Sequence, residues 1–152
     1  MITFFASVLI WLMFFGLVVL WIIDGKHKKE IVIHALFACF FAWVISESIK
    51  HFFPTLRPYA VNGLDPLTLT IPIDGAFPSS HTAVSVALAV SIFKHNRKIG
   101  MLYIVMAGFV GIARIMAYVH YPLDIIGGAV IGVIIAPLTS SRHFARLLSN
   151  ND

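Results

Sequence analysis

Apolar residues fall into five runs along the chain, at about Ile2–Ile23, Ile31–Ile49, Ser79–Phe93, Ile99–Val119 and Pro122–Leu138. A helix crosses hydrocarbon with about 20 residues, and usable spans run from about 17 to 25. The first, second and fourth runs satisfy that length. The third and fifth are shorter and richer in small residues, which places them inside a bundle rather than at its lipid face. Gly128 and Gly132 give the fifth run a GxxxG spacing that permits close helix contact. The pattern predicts an all-α, polytopic transmembrane bundle of about five spans, one integral-membrane domain over residues 1–152.

The connections are unequal. The long one, Phe52–Pro78 between spans two and three, holds Pro54, Pro58, Pro66, Pro72 and Pro78 with Gly63 and Gly75. Prolines at that density break a helix, so an ordered proline-rich loop or lid beside the membrane is expected. Of eleven Lys and Arg, eight fall on one side of a five-span chain: Lys26, Lys28, Lys29, Lys94, Arg97, Lys98, Arg142 and Arg146. The positive-inside rule makes that side, with the C-terminus, cytoplasmic, and turns the N-terminus and the long loop outward. The first run lacks a basic segment before it and a small-residue cleavage site after it, so it reads as a retained span and not a signal peptide. Lys50, Arg57 and Arg114 are left on the outward side, where topology does not account for them.

Composition agrees with the pattern. The chain is 59% hydrophobic and 12% charged, about half the charged fraction of a soluble domain. Its net charge of +4 does not point to nucleic acid, because the basic residues sit in short clusters between apolar runs. The single cysteine, Cys39, excludes a disulfide framework and a cysteine metal site, and is expected as a small buried hydrophobe. Nothing in the pattern bears on oligomeric state.

Three separated stretches bring chemistry to the outward end: "ESIKHFFPTLRP" with Lys50 and Arg57, "FPSSHTAV" with Ser79, Ser80 and His81, and "ARIMAYVHYPLD" with Arg114, His120 and Asp124. Pro78 followed by two serines is a helix start, and the free N–H groups and dipole of a first turn attract anions. Lys50, Arg57 and Arg114 add charge, and an arginine fork can hold two phosphate oxygens. Asp124 lies four residues after His120, and Pro122 fits the first position of a helix beginning between them. An aspartate bonded to one ring nitrogen fixes the tautomer and leaves the other nitrogen as a nucleophile. His81 is a second imidazole, placed to protonate a leaving oxygen. Glu47, one turn before Lys50, is expected to hold that lysine, while Asp65 and Asp74 read as loop residues making Asx turns. His27, His34, His95 and His143 read as ordinary interfacial side chains.

The spacings K-x6-R-P, P-S-x-H and R-x5-H-x3-D occur in that order over Lys50–Asp124. This set resembles the type-2 phosphatidic acid phosphatase superfamily of membrane phosphatases. The resemblance implies that His120 attacks phosphorus to form a phosphohistidine, that Asp124 orients it, and that His81 protonates the leaving group and then activates water. Lys50, Arg57, Ser79, Ser80 and Arg114 would bind phosphate oxygens, with no metal and no cofactor. It further implies a multi-pass protein of the plasma membrane that hydrolyses a lipid phosphate on the extracytoplasmic side. Undecaprenyl diphosphate is the first choice of substrate, ahead of phosphatidylglycerol phosphate and phosphatidic acid. A lipid phosphotransferase and a non-catalytic lipid-binding protein are the rival readings. Three departures stand out: Ser80 where the family commonly has glycine, Ala113 where it commonly has serine, and five spans where it typically has six.

Overall fold

In the computed structural model, described for residues 1–23 and 26–139, every regular element is helical. The side chains of Lys26, His27, Lys28 and Glu30, like the tail bearing Arg142, His143 and Arg146, lie outside the described residues. A π-helical turn, Phe4–Val8, runs into α1, Leu9–Ile23. Then come α2 (Lys26–Phe52), a short α3 (Pro58–Asn62), α4 (Ser80–His95), α5 (Arg97–Met116) and α6 (Pro122–Leu138). Three segments are long and apolar enough to cross a membrane: Phe4–Ile23, Ile31–Phe52 and Arg97–Met116. Pro122–Leu138 is apolar but shorter.

Helix α4 is the centre. It packs on α2, α5 and α6, and ten of its 16 residues are buried. Its small side chains decide this position. Ala83 and Ala87 meet Ala38 and Ala42 of α2 and Ala136 of α6 in a seam made of alanine. The GxxxG pair of α6 faces that seam with no side chain between the backbones. A Cβ on Gly128 would fall 2.5 Å from Ser79 O, and one on Gly132 would fall 2.7 Å from Ala83 O and 2.8 Å from Ala87 N. Helices in lipid associate by such close packing, since hydrocarbon offers no hydrophobic drive between them. On the other side of α4, Leu88 and Ile92 pack with Met13, Leu17, Val32 and Val110 in a core of larger residues. Cys39 is buried there, as expected.

Successive long helices alternate in direction. His34, early in α2, stacks on His95 at the end of α4 with ring centroids 6.1 Å apart. Lys94, Arg97 and Lys98 therefore share one end of the bundle, and Lys50, Arg57 and Arg114 share the other. At the latter end the segment between α2 and α4 is stitched down rather than free. Tyr59 N donates to Tyr118 O at 2.9 Å, Leu67 N to Ala117 O at 3.2 Å, and the Tyr59 hydroxyl to Pro72 O at 2.7 Å.

Two boundaries differ from the apolar runs for physical reasons. The fourth run ends at Val119, but α5 stops at Met116 because Tyr118 turns into the left-handed region at φ 61°. That conformation costs a non-glycine residue roughly 1–2 kcal/mol. Pro78 lies before the helix instead of in its first turn, with Ser79 as the N-cap of α4.

The glycine contacts lead to a test. Gly132→Val puts a branched side chain against α4 backbone and lowers stability in detergent by about 1–3 kcal/mol, the usual range for overpacking. Gly108→Ala is the control, because nothing lies within 4 Å of its Cβ position; melting temperatures of the two variants check the difference.

Candidate active site

At the loop-covered end, one cavity of about 510 Å³ is bordered by Lys50, Arg57, Ser80, His81, Arg114 and His120, along with Glu47 and Asp74. The structure thus gathers most of the residues expected from the sequence. Each is delivered by a helix end or a tight turn: Lys50 by the last turn of α2, Ser80 and His81 by the first turn of α4, and Arg114 by the last turn of α5. His120 follows the strained turn at Tyr118, and Asp124 lies in the first turn of α6.

Arg57 is 3% exposed, and its hydrogen bonds account for all five donors of a guanidinium. Nε donates to Asp74 O at 2.9 Å, and one terminal nitrogen donates to Asp74 Oδ1 at 2.9 Å and Gly75 O at 3.0 Å. The other donates to Val119 O at 2.8 Å and lies 3.3 Å from His120 Nε2. A guanidinium only donates, so Nε2 of His120 is the acceptor and holds a lone pair. The proton is then on Nδ1, which lies 3.3 Å from Asp124 Oδ2. That same carboxylate oxygen accepts from Tyr121 N at 2.8 Å, which fixes it at the start of α6. His120 is accordingly a neutral imidazole whose Nε2 lone pair accepts from Arg57.

Lys50 is also buried; its Nζ donates to Glu47 Oε1 at 3.0 Å and to Asp74 Oδ2 at 2.7 Å. One of its three ammonium hydrogens remains for a ligand. Glu47 accepts from the Ser80 hydroxyl as well, at 2.6 Å. Arg114 donates to Ala6 O at 3.2 Å, while its buried Nε has no hydrogen-bond partner among the described residues. The first-turn amides of Ser80 and His81 have no acceptor within α4, as at any helix start. These unmet donors, with the cations, suit a multiply charged oxyanion.

Ser79 is placed differently. It does not border the cavity. Its hydroxyl accepts from Thr82 N at 3.4 Å as the helix cap, and its own N–H donates to Asp124 O at 3.0 Å. Ser80 carries no left-handed strain, because Tyr118 is the one positive-φ non-glycine residue among those described. Ala113 lies outside the cavity lining and packs with Ala6, Ala117 and Val119. Asp74 corrects the sequence reading: its carboxylate bridges Lys50 and Arg57 and forms no Asx turn. Nothing in the local sequence around Asp74 distinguishes it from Asp65, since its partners lie 24 and 17 positions away.

The model of the PAP2 superfamily matches residues 31–147. The chain belongs to the PAP2 superfamily. It is 33% identical over 133 residues to the bacitracin transport permease protein BcrC of Bacillus licheniformis, covering 88% of this chain and 66% of that protein. It is 28% identical over 119 residues to the undecaprenyl-diphosphatase BcrC of Bacillus subtilis (strain 168), covering 78% and 61% respectively. The crystal structure of Aquifex aeolicus LpxE aligns with a TM-score of 0.71 at 29% identity, over 86% of this chain and 80% of that one. A transmembrane PAP2 type phosphatidylglycerolphosphate phosphatase from Bacillus subtilis shares the fold, with a TM-score of 0.61 at 20% identity over 90% and 68%. The chain spans about two thirds or less of the length of the curated relatives it matches.

Burial pushes the His120 imidazole down from 6.5 to about 4; the Asp124 hydrogen bond opposes this, and the Arg114 and Arg57 charges reinforce it. The unfolded chain therefore binds the proton first, so this group's contribution to stability is complete above pH 6.5 and is lost as pH falls toward about 4. Histidine-labelled protein followed by NMR is expected to show His120 as the neutral Nδ1–H tautomer at pH 6.5, gaining its second proton only as pH nears about 4. A ring that titrates at 6.5 contradicts the assignment.

Proposed function

We propose that this PAP2 protein is a membrane lipid phosphatase, with undecaprenyl diphosphate as its first-choice substrate and the monophosphate as product. The observation that carries this reading is the shape of the cavity. Its polar end holds the two histidines and the cations, and its remaining wall is apolar, built from Ile10, Trp11 and Phe14 of the first helix and Leu36, Phe40 and Trp43 of α2. Trp11 and Trp43 are 68% and 50% exposed, so the trough opens sideways onto the bundle surface where lipid would lie. A headgroup can sit among the cations while its chain stays in hydrocarbon. The names of the related proteins favour an undecaprenyl diphosphate over other lipid phosphates.

In this reading Nε2 of His120 leaves Arg57 and attacks the terminal phosphorus, breaking the bridging P–O bond and forming a phosphohistidine. Asp124 stabilises the imidazolium, and His81, which takes up a proton as the phosphate anion binds beside it, protonates the departing lipid oxygen. His81 then takes a proton from water as it attacks phosphorus, which frees His120 and orthophosphate. Lys50, Arg57, Arg114 and the amides of Ser80 and His81 stabilise the oxygens as charge builds on them. Ser79 acts by holding the first turn of α4 in place. We take α4 and α6 as two further, internal spans, giving five, with the site on the extracytoplasmic side. The gathering of Lys94, Arg97 and Lys98 at the opposite end supports that orientation.

The purified protein is expected to release orthophosphate from undecaprenyl diphosphate in the presence of EDTA and to be inhibited by vanadate. His120→Ala should lower kcat/KM by about a thousandfold or more, and full activity in that variant would sink the mechanism. Trp43→Ala tests the trough. KM for the lipid rises by about tenfold, while turnover of a short-chain, water-soluble diphosphate is unchanged.

A further inference from the structure

Asp74 raises a problem that the phosphatase reading leaves unsolved. Its carboxylate occupies both cations that reach the cavity from the α2 side, at 2.7 Å from Lys50 Nζ and 2.9 Å from the Arg57 guanidinium. With both histidines neutral before substrate binds, Lys50 and Arg57 share Glu47 and Asp74 between them, while Arg114, bonded to Ala6 O, and Asp124, behind His120, add one further charge of each sign. Without phosphate the site is therefore electrically balanced, and Arg57 has no N–H to spare. A phosphate that simply added to this arrangement would bring unbalanced negative charge into a buried space and meet a saturated guanidinium.

We propose that Asp74 is a tethered competitor of phosphate: it holds Lys50 and Arg57 in the empty site, yields them to the substrate, and retakes them to expel orthophosphate. This rests on the reading of Lys50 and Arg57 as the phosphate cradle. Of the three carboxylates Asp74 alone sits on the loop and holds both Lys50 and Arg57. Asp124 is 4% exposed and fixed by Tyr121 N and His120. Glu47 is shared between Lys50 on its own helix and the Ser80 hydroxyl. Asp74 sits on the loop with its side chain 40% exposed, and it also borders an outward pocket of about 650 Å³ formed with His51, Pro54 and Ile73. That pocket can receive the displaced carboxylate and join the site to water.

The backbone stays in place during the exchange. Asp74 O and Gly75 O remain bonded to Arg57, and Ala76 N donates to Thr55 O at 3.0 Å. Gly75 lies flat against the preceding segment, with Pro54 Cα and Thr55 N each 3.3 Å from its Cβ position. The swing is thus a side-chain rotation about a pinned loop, and Arg57 keeps three backbone acceptors while one carboxylate is traded for phosphate oxygens. Burial favours a protonated Asp74, but the hydrogen bond and charge of Lys50 and the charge of Arg57 outweigh it. The competitor is therefore an anion at neutral pH.

Vanadate and orthophosphate affinities, measured by inhibition and by calorimetry on the purified full chain, test the proposal. A competing closed state lowers apparent affinity by the fraction of open protein, so Asp74→Asn is expected to bind both anions about five- to tenfold more tightly. Asp74→Glu, which keeps the charge, should stay near the wild type. Weaker or unchanged binding in Asp74→Asn overturns the proposal and leaves Asp74 as a plain structural partner. An equal gain in Asp74→Glu overturns it too. A structure of the wild-type protein with vanadate is the second readout: the carboxylate should be withdrawn from both cations, and an intact Lys50–Asp74 pair beside bound vanadate refutes the exchange. Failure of the wild type to bind either anion would instead remove the phosphate cradle itself, a separable result.

Discussion

Arg57 carries a fixed positive charge into the buried end of a largely apolar bundle, and its five donors must all be met there. A buried charge that loses a partner costs on the order of 3–5 kcal/mol, so the acceptors around it constrain the backbone that supplies them. The carbonyls of Asp74 and Gly75 draw the long loop over the end of α2. The carbonyl of Val119 and the ring of His120 bring in the turn between α5 and α6. One side chain thereby joins three segments that are far apart in sequence. It also fixes the tautomer of His120, because a donor facing Nε2 leaves the ring proton on Nδ1, toward Asp124.

The turn that presents Val119 and His120 is itself a compromise. Tyr118 adopts a left-handed conformation that tyrosine ordinarily avoids. Its carbonyl accepts from Tyr59 N, and Ala117 O accepts from Leu67 N, so the loop holds the strained turn from outside. Strain held by surrounding contacts in this way is common where side chains must be aimed. From inside, the glycine and alanine seam draws α6 against α4 until Ser79 N reaches Asp124 O. The first turns of α4 and α6 are locked together by that bond.

Local pattern carried much of this. The apolar runs mark the long helices within a few residues. The pairing of His120 with Asp124 follows from spacing around Pro122, and that of Glu47 with Lys50 from their places one turn apart. Ser79 shows what pattern leaves open. Its motif position suggests a phosphate ligand, and in the fold its hydroxyl oxygen also caps α4 by accepting from Thr82 N. Ser80 stands where the family commonly has glycine, and as the first residue of α4 it has an ordinary helical backbone and a hydroxyl that donates to Glu47.

The sequence by itself determined the helical class, the small-residue character of the central helix and the local pairs His120–Asp124 and Glu47–Lys50, because these depend on composition and on neighbours within a turn or two. Tertiary structure decided which of those residues share a cavity, how every donor of Arg57 is used, and that Asp74 belongs to the site. The reason is physical. A hydrogen bond across 17 or 24 positions has no period and leaves no local trace in the chain, and only the packed bundle fixes whether two such groups meet.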